Sequence, residues 1–103
     1  MQKNASQQDT ASLFSELNLE TAQIAWSELQ RFFAAGKLIA VDVSLDLVTV
    51  AVTVAQDNKQ QIEQWINENK IKPVDDQQAK QWLNQQALLW AVVVKPWVLV
   101  QHK

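Results

Sequence analysis

The stretch Leu47-Val-Thr-Val-Ala-Val-Thr-Val-Ala55 decides the predicted fold. Its valines alternate strictly with threonine and alanine, and β-branched residues at every second position indicate a β-strand. A strand of this length spans roughly 30 Å, enough to cross a small domain. One side would carry only valine and must be buried, whereas the other side is small and half-polar. We therefore place this strand at the centre of the predicted sheet.

A second predicted strand precedes it and forms a hairpin with it. Residues 38–43 alternate in the same way, and pairing Val43 with Val48 brings the valines of both strands onto one aliphatic face. A loop of residues 44–47 fits this register. A shorter loop would require positive φ at Leu45 and Asp46, which leucine resists.

Three helices are predicted from amphipathic spacing and capping residues. The first follows Asn18 as N-cap and ends at Gly36, the single glycine of the chain, which suits the positive φ of a helix end. The second begins at Asp57 or Asn58 and runs to about residue 69. Asp75 caps the third.

The chain closes with residues 88–94 and 97–101, which are apolar at both parities and are therefore expected to be covered on both faces. Pro96 marks an edge, a bulge or a bend, so residues 97–101 either continue the strand or form a separate one. The predicted order is α-β-β-α-α-β, with an optional last strand. This is an α+β fold with an antiparallel sheet of three to four strands and helices mainly on one face. Residues 1–11 are predicted to be a mobile polar tail, and residues 12–103 a single domain.

Composition excludes several classes of function. The net charge of −2 and the scattered basic residues argue against a nucleic-acid partner. No cysteine is present, so thiol nucleophiles and thiolate metal sites are excluded, and one glycine is too few for a phosphate-binding loop. No cofactor is expected. Neither a signal peptide nor an apolar run of about 20 residues is visible, so we expect a cytoplasmic protein with no membrane partner.

Catalytic groups are scarce. The single histidine, His102, lies near the C-terminus, where chains fray, and we do not expect it to be a catalytic base. Asp42, Ser44 and Asp46 are spaced like the start of a calcium loop, but they lack its glycine and glutamate, so we interpret them as turn residues. Whether the protein is an enzyme stays open.

Five tryptophans are the most unusual feature of the composition. Trp97 follows Pro96 and shares parity with polar residues, so it either fills the core or forms a contact surface. We name Lys95, Pro96, Trp97 and Leu99 as candidate contact residues. The leading hypothesis is an interaction module that forms a homodimer through these residues, because one face of the predicted sheet lacks a cover. The alternative is a small-molecule-binding protein or enzyme with a Trp-lined pocket and carboxylates such as Glu28 or Asp42.

Three segments also resemble a known family. They are Leu19-Glu-Thr-Ala-Gln-Ile-Ala-Trp26, Val43-Ser-Leu-Asp-Leu-Val48 and Leu89-Trp-Ala-Val-Val-Val-Lys-Pro-Trp-Val-Leu-Val100. Together they resemble a family of short bacterial proteins catalogued as a domain of unknown function, mainly through the Trp-Ala-Val-Val-Val-x-Pro-Trp motif. The resemblance covers about residue 17 to the C-terminus. It implies a bacterial, soluble, single-domain protein and supplies no activity, cofactor or catalytic residue.

Overall fold

A five-stranded mixed sheet forms the centre of the molecule. The structure is a computed structural model that describes the backbone of residues 5–103 and the side chains of residues 10–103. The elements in chain order are α1 (Ala5–Glu20), β1 (Ala22–Ala25), α2 (Trp26–Ala34), β2 (Leu38–Val41), α3 (Leu47–Ala55), α4 (Lys59–Asn67), β3 (Ile71–Pro73), α5 (Asp76–Gln85), β4 (Leu88–Val94) and β5 (Trp97–Gln101). The α+β class is confirmed.

The predicted central strand is wrong, because residues 47–55 form the helix α3. Asp46 caps it: its Oδ2 atom accepts hydrogen bonds from the backbone N–H of Thr49 at 3.0 Å and from the Thr49 hydroxyl at 2.8 Å. Thr49 and Thr53 are four residues apart, a spacing that fits one face of a strand and one face of a helix equally well. Packing of the remaining apolar positions in the core overrides the β preference of valine.

The sheet order is β1-β4-β5-β2-β3, which also corrects the predicted pairing. β4 and β5 form an antiparallel hairpin across Lys95 and Pro96, so residues 97–101 are a separate strand and Pro96 lies at a turn. β2 pairs with β5 in parallel and with β3 antiparallel, whereas the predicted pairing of Val43 with Val48 does not form. The sheet therefore has more strands than expected and is not purely antiparallel.

Helices cover both faces of this sheet, so the prediction that they lie mainly on one face is wrong. On one side, which we call the α3 face, Leu17 of α1 and the apolar residues of α3 pack against Val92 and Leu99, and α4 adds Ile62. On the other side, which we call the α2 face, α2 and α5 pack against β4 and β5 through Trp26 and Trp82. The apolar pattern at both parities of β4 and β5 is explained by these two clusters.

The first predicted helix is correct only in its second half, because Asn18 lies inside α1 and is not an N-cap, and residues 22–25 form a strand. α1 ends at Glu20, β1 follows, and α2 begins at Trp26. Its predicted end is confirmed: Gly36 has a φ of 73°, and the amides of Gly36 and Lys37 donate to the carbonyls of Phe33 and Phe32 in the double hydrogen bond of a Schellman motif. The short strand β1 has too few residues to show a period of its own.

The remaining local predictions concern the second half of the chain and its N-terminus. The side chains of Asn58 and Asp75 accept hydrogen bonds at the starts of α4 and α5, which confirms both caps. The connector before Asp75 contains the edge strand β3, which was not predicted. Residues 1–4 of the predicted mobile tail lie outside the described residues, and residues 5–11 belong to α1.

Candidate functional site

An apolar groove of about 360 Å³ opens on the α3 face, between α4 and the β2–β3 side of the sheet. We call it the Trp97 groove. Most of its wall is aliphatic or aromatic, and the polar residues that border it are Asn69 and Lys72. Its apolar lining includes Ile39, Ile62, Ile66, Ile71, Trp97 and Leu99.

The groove forms because α4 packs only loosely against the sheet. Ile62 and Ile66 lie four residues apart on one side of α4, yet no residue of this helix is fully buried, and Ile66 is 51% exposed. Below them, Ile39 and Leu99 are partners in the parallel β2–β5 pair. Apolar surface from the helix and the sheet therefore lines a space that none of the side chains of residues 10–103 fills.

Trp97 forms one wall of the groove, and a positively charged side chain lies next to its ring. The Nζ atom of Lys37 lies 5.8 Å from the centroid of the Trp97 ring, within the range of a cation–π contact. Lys72 also borders the groove. However, Lys72 pairs with Ala40, which packs on the α2 face, so the register directs the Lys72 side chain toward that other side.

The four candidate contact residues occupy two different environments. Lys95 and Pro96 are exposed in the β4–β5 turn and do not border the groove. Trp97 and Leu99 both line it. Trp97 is 37% exposed and Leu99 only 2%, so Leu99 is a floor residue and Trp97 is the member that a bound molecule would meet first.

A second cavity, also about 360 Å³, lies on the α2 face and is polar. We call it the His102 cleft. Its floor contains the indole of Trp82, whose Nε1–H donates to Nδ1 of His102 at 3.2 Å. The polar residues that also line this cleft include Asp42, Lys70, Lys72, Gln78, Gln81 and Gln85.

Asp42 is held by the turn that follows β2. The backbone N–H of Ser44 donates to its Oδ2 atom at 2.9 Å, and the Nζ atom of Lys70 donates to the Ser44 hydroxyl at 2.8 Å. Hydrogen bonds from the side chain and backbone of Ser44, with a smaller contribution from the charge of Lys70, lower the pKa of the Asp42 carboxyl. Asp42 therefore acts as a turn residue, as the sequence predicts.

The carboxylates named from the sequence do not converge. Asp42 borders the His102 cleft, whereas Glu28 lies beside Ser27 and Arg31 at a separate shallow depression. Among the described residues, no three His, Asp or Glu side chains come together as metal ligands. The helices in the described part of the chain also include none that is long and apolar enough to cross a membrane.

Comparison with known proteins identifies the family. The family described as "Protein of unknown function (DUF2288)" matches residues 12–102, nearly the whole chain. The chain belongs to the DUF2288 family. The resemblance drawn from the Trp-Ala-Val-Val-Val-x-Pro-Trp motif is thereby confirmed. Among solved structures, this DUF2288 chain is similar to the NMR solution structure of PA1075 from Pseudomonas aeruginosa, with 41% identity and a TM-score of 0.79. The similarity covers 100% of this chain and 94% of that one. No curated protein matches.

Two features of this DUF2288 protein escaped the sequence reasoning. The contact of Trp82 with His102 joins residues from α5 and from the end of the chain, so spacing alone does not indicate it. The glutamines of α5 gave a weak signal, because Gln78, Gln81 and Gln85 recur at helical spacing beside Trp82. Trp90 is 38% exposed, and its partners across the sheet are Gln23 of the edge strand β1 and Gln101.

Proposed function

We propose that the protein is a binding protein whose Trp97 groove holds the apolar part of a small amphipathic molecule with a negatively charged head group. The observation that carries the proposal is the groove itself, an apolar space whose aromatic wall, Trp97, has the Nζ atom of Lys37 at 5.8 Å from its ring centroid. Pockets for small molecules have this character, with apolar walls and few polar groups that fix orientation.

The apolar part of the ligand would replace water against Ile62, Ile66 and Leu99. Removing apolar surface from water contributes about 25 cal/mol per Å², and it is the largest favourable contribution that this groove offers. Because Ile66 is half-exposed and α4 has no fully buried residue, a ligand can contact this helix without displacing a buried side chain.

The head group is assigned from charge. Among the residues whose side chains are described, none that borders the groove is acidic, and the ammonium group of Lys37 lies beside Trp97. A carboxylate at the Trp97 end would therefore meet an opposite charge and no like charge. An added peptide strand is a poorer occupant, because the adjacent edge strand β3 contains Pro73, which has no N–H to donate to a new strand.

Sodium decanoate is a suitable probe, and decanol is its uncharged counterpart. Binding is measured by calorimetry or by the ¹⁵N–¹H spectrum, in which the indole signal of Trp97 should move. Ile66→Glu should weaken decanoate binding about tenfold or more, because it places a carboxylate in the apolar wall. Leu83→Glu is the matched control, since Leu83 is also 51% exposed on a helix but lies on α5, away from the groove.

The charge assignment has its own test. Lys37→Gln should weaken decanoate binding by about fivefold and leave decanol binding unchanged, because only decanoate uses the positive charge. Equal losses for both probes would contradict the charge assignment, and equal losses in Ile66→Glu and Leu83→Glu would contradict the groove.

A second copy of the chain is the competing occupant. The dimer hypothesis was based on an uncovered sheet face, and both faces carry helices. Its remaining support is the exposed apolar surface of the β4–β5 hairpin, which includes Leu88, Val93 and Trp97. Sedimentation at micromolar concentration tests it directly. Twice the chain mass, shifted toward monomer by Trp97→Ala, together with no decanoate binding, would assign the groove to self-association and refute the small-molecule proposal. As the compartment we propose the bacterial cytoplasm, since a chain without cysteine needs no oxidising environment.

A further inference from the structure

The His102 cleft is rich in hydrogen-bond donors that come from separate elements. Lys72 stands on the β3 side, Gln78 and Gln81 on α5, and His102 after β5. Gln78 donates from its Nε2 atom to Oε1 of Gln81 at 3.2 Å, so the amide oxygen of Gln81 is engaged and its NH₂ group remains a donor. The walls of the cleft therefore present N–H groups from several directions.

The hydrogen bond from Trp82 determines which nitrogen of His102 carries the proton in the neutral ring. An indole N–H can only donate, so Nδ1 of His102 must accept and the ring proton lies on Nε2. Trp82 is fixed in turn by its packing on Trp26, with ring centroids 5.8 Å apart. The imidazole thus offers a donor at Nε2, and this donor is oriented by a buried aromatic pair.

The charges around the cleft leave an excess of one positive charge. Asp42 is negative, and Lys70 and Lys72 are positive. Lys70 is tied to the Ser44 hydroxyl beside Asp42, so these two charges offset each other at one end of the cleft. Among the described residues, Asp42 is the acidic residue that borders the cleft itself, whereas Asp75 borders an adjoining depression that Lys72 also lines.

We infer that the His102 cleft binds a phosphate group, free or carried by a small polar molecule. Lys72 supplies the charge, and the Nε2–H of His102 and the amide NH₂ groups of α5 supply donors to different oxygens. A tetrahedral anion can use donors from three walls at once, whereas a carboxylate presents two oxygens in one plane. This site is separate from the Trp97 groove, and it does not depend on the function proposed there.

Inorganic phosphate is the probe, added to ¹⁵N-labelled protein with sodium acetate and sodium chloride as comparisons at equal ionic strength. We expect phosphate to move the Trp82 indole signal and the backbone amides of Gln78 and Gln81, with saturation at about 10 mM or below. Lys72→Gln should raise the Kd about fivefold, the size expected for a partly exposed charge pair. His102→Gln should raise it too, since the fixed Nε2–H donor is lost.

Lys80→Gln is the matched control, because Lys80 is exposed on α5 but does not border the cleft. It should change the Kd by less than about twofold. The inference is overturned if phosphate causes no saturable shift, if Lys80→Gln weakens binding as much as Lys72→Gln, or if acetate binds as tightly as phosphate. The phosphate titration and the acetate comparison are both read from the spectrum of the unmodified protein, so a variant that fails to fold does not prevent a decision.

Discussion

Gln101 is the polar residue whose replacement gives the sharpest test of this structure. Its side chain is 1% exposed, and its Nε2 atom donates to the carbonyl oxygens of Asp42 at 2.8 Å and Leu45 at 2.7 Å. These bonds fasten the turn before α3 to the end of β5. The Oε1 atom of Gln101 is buried and has no hydrogen-bond partner among the described residues.

The loss in free energy of unfolding on removing these hydrogen bonds depends on their number. Gln101→Met keeps the length of the side chain and removes both donors. Each hydrogen bond contributes about 0.5–1.5 kcal/mol net, so losing two costs about 1–3 kcal/mol. Removing the unpartnered Oε1 atom offsets part of this loss. We therefore expect Gln101→Met to lower the free energy of unfolding by about 1–2 kcal/mol.

Gln101→Glu adds a pH dependence that separates this explanation from a simple packing defect. A buried carboxylate facing two carbonyl oxygens has no donor and should cost about 3–5 kcal/mol at neutral pH. Burial raises the pKa of the introduced carboxyl above its unfolded value of about 4.3. The penalty is therefore small below about pH 4 and grows as the pH rises toward the folded-state pKa.

Urea unfolding followed by circular dichroism measures both effects. With a slope of about 1 kcal/mol per M, Gln101→Met should lower the midpoint by about 1 M or more. Gln30→Met, at an exposed position of α2, is the control and should leave the midpoint unchanged. If Gln101→Met unfolds at the midpoint of the unmodified protein and Gln101→Glu shows no additional pH dependence, the reasoning is refuted.

Three further predictions concern a core residue, a turn carboxylate and the N-terminus. Val50 is 1% exposed in α3, so Val50→Ala should lower the free energy of unfolding in urea by about 1–3 kcal/mol. Thr49→Ala, at an exposed position of the same helix, should lower it much less. Equal losses in the two variants would be inconsistent with α3. Because the pKa of Asp42 is lowered in the folded protein, its contribution to stability is present above about pH 4 and is lost as the pH falls through the folded-state value. Asp42→Asn should therefore flatten the acid side of the stability curve, and an unchanged curve would contradict the turn hydrogen bond. Deleting residues 1–11 should leave the thermal midpoint nearly unchanged, since Leu17 is the buried anchor of α1, and a large drop would show that the tail is integral.

Local signals correctly predicted the helix end at Gly36, the helix starts at Asn58 and Asp75, and the strand character of residues 88–94 and 97–101. Asn58 and Asp75 are effective caps in any context because their side chains bond to backbone N–H groups within the same turn. Gly36 ends α2 for an equally local reason. β4 and β5 carry enough apolar residues to be strands wherever they pair.

The errors arose where two periods coincide or where an element is too short to show one. Thr49 and Thr53 satisfy both the helical and the strand period, so only the tertiary environment decides between them. β1 and β3 have four and three residues, and their strand character comes from the neighbours with which they pair. Without β3, the sheet edge that borders both cavities could not be placed.

The candidate sites were predictable only in part. Trp97 was a candidate because it is apolar, whereas Lys95 and Gln101, on the same side of the predicted strand, are polar. The structure places it in the wall of the groove. Its neighbours Ile39, Ile62 and Ile66 come from distant segments, and no local pattern relates them. His102 was set aside because ends of chains fray, but its hydrogen bond to Trp82 holds it against the core.

The position of β5 has a consequence for how the protein folds. β5 is the third of five strands in the sheet, between β4 and β2, although residues 97–101 follow the other four strands in the chain. Until β5 pairs, no strand hydrogen-bonds the β2–β3 pair to the β1–β4 pair, and each pair exposes an unsatisfied edge. A folding intermediate without β5 therefore cannot close the sheet, and its apolar strands depend on the helices for cover until β5 takes its place.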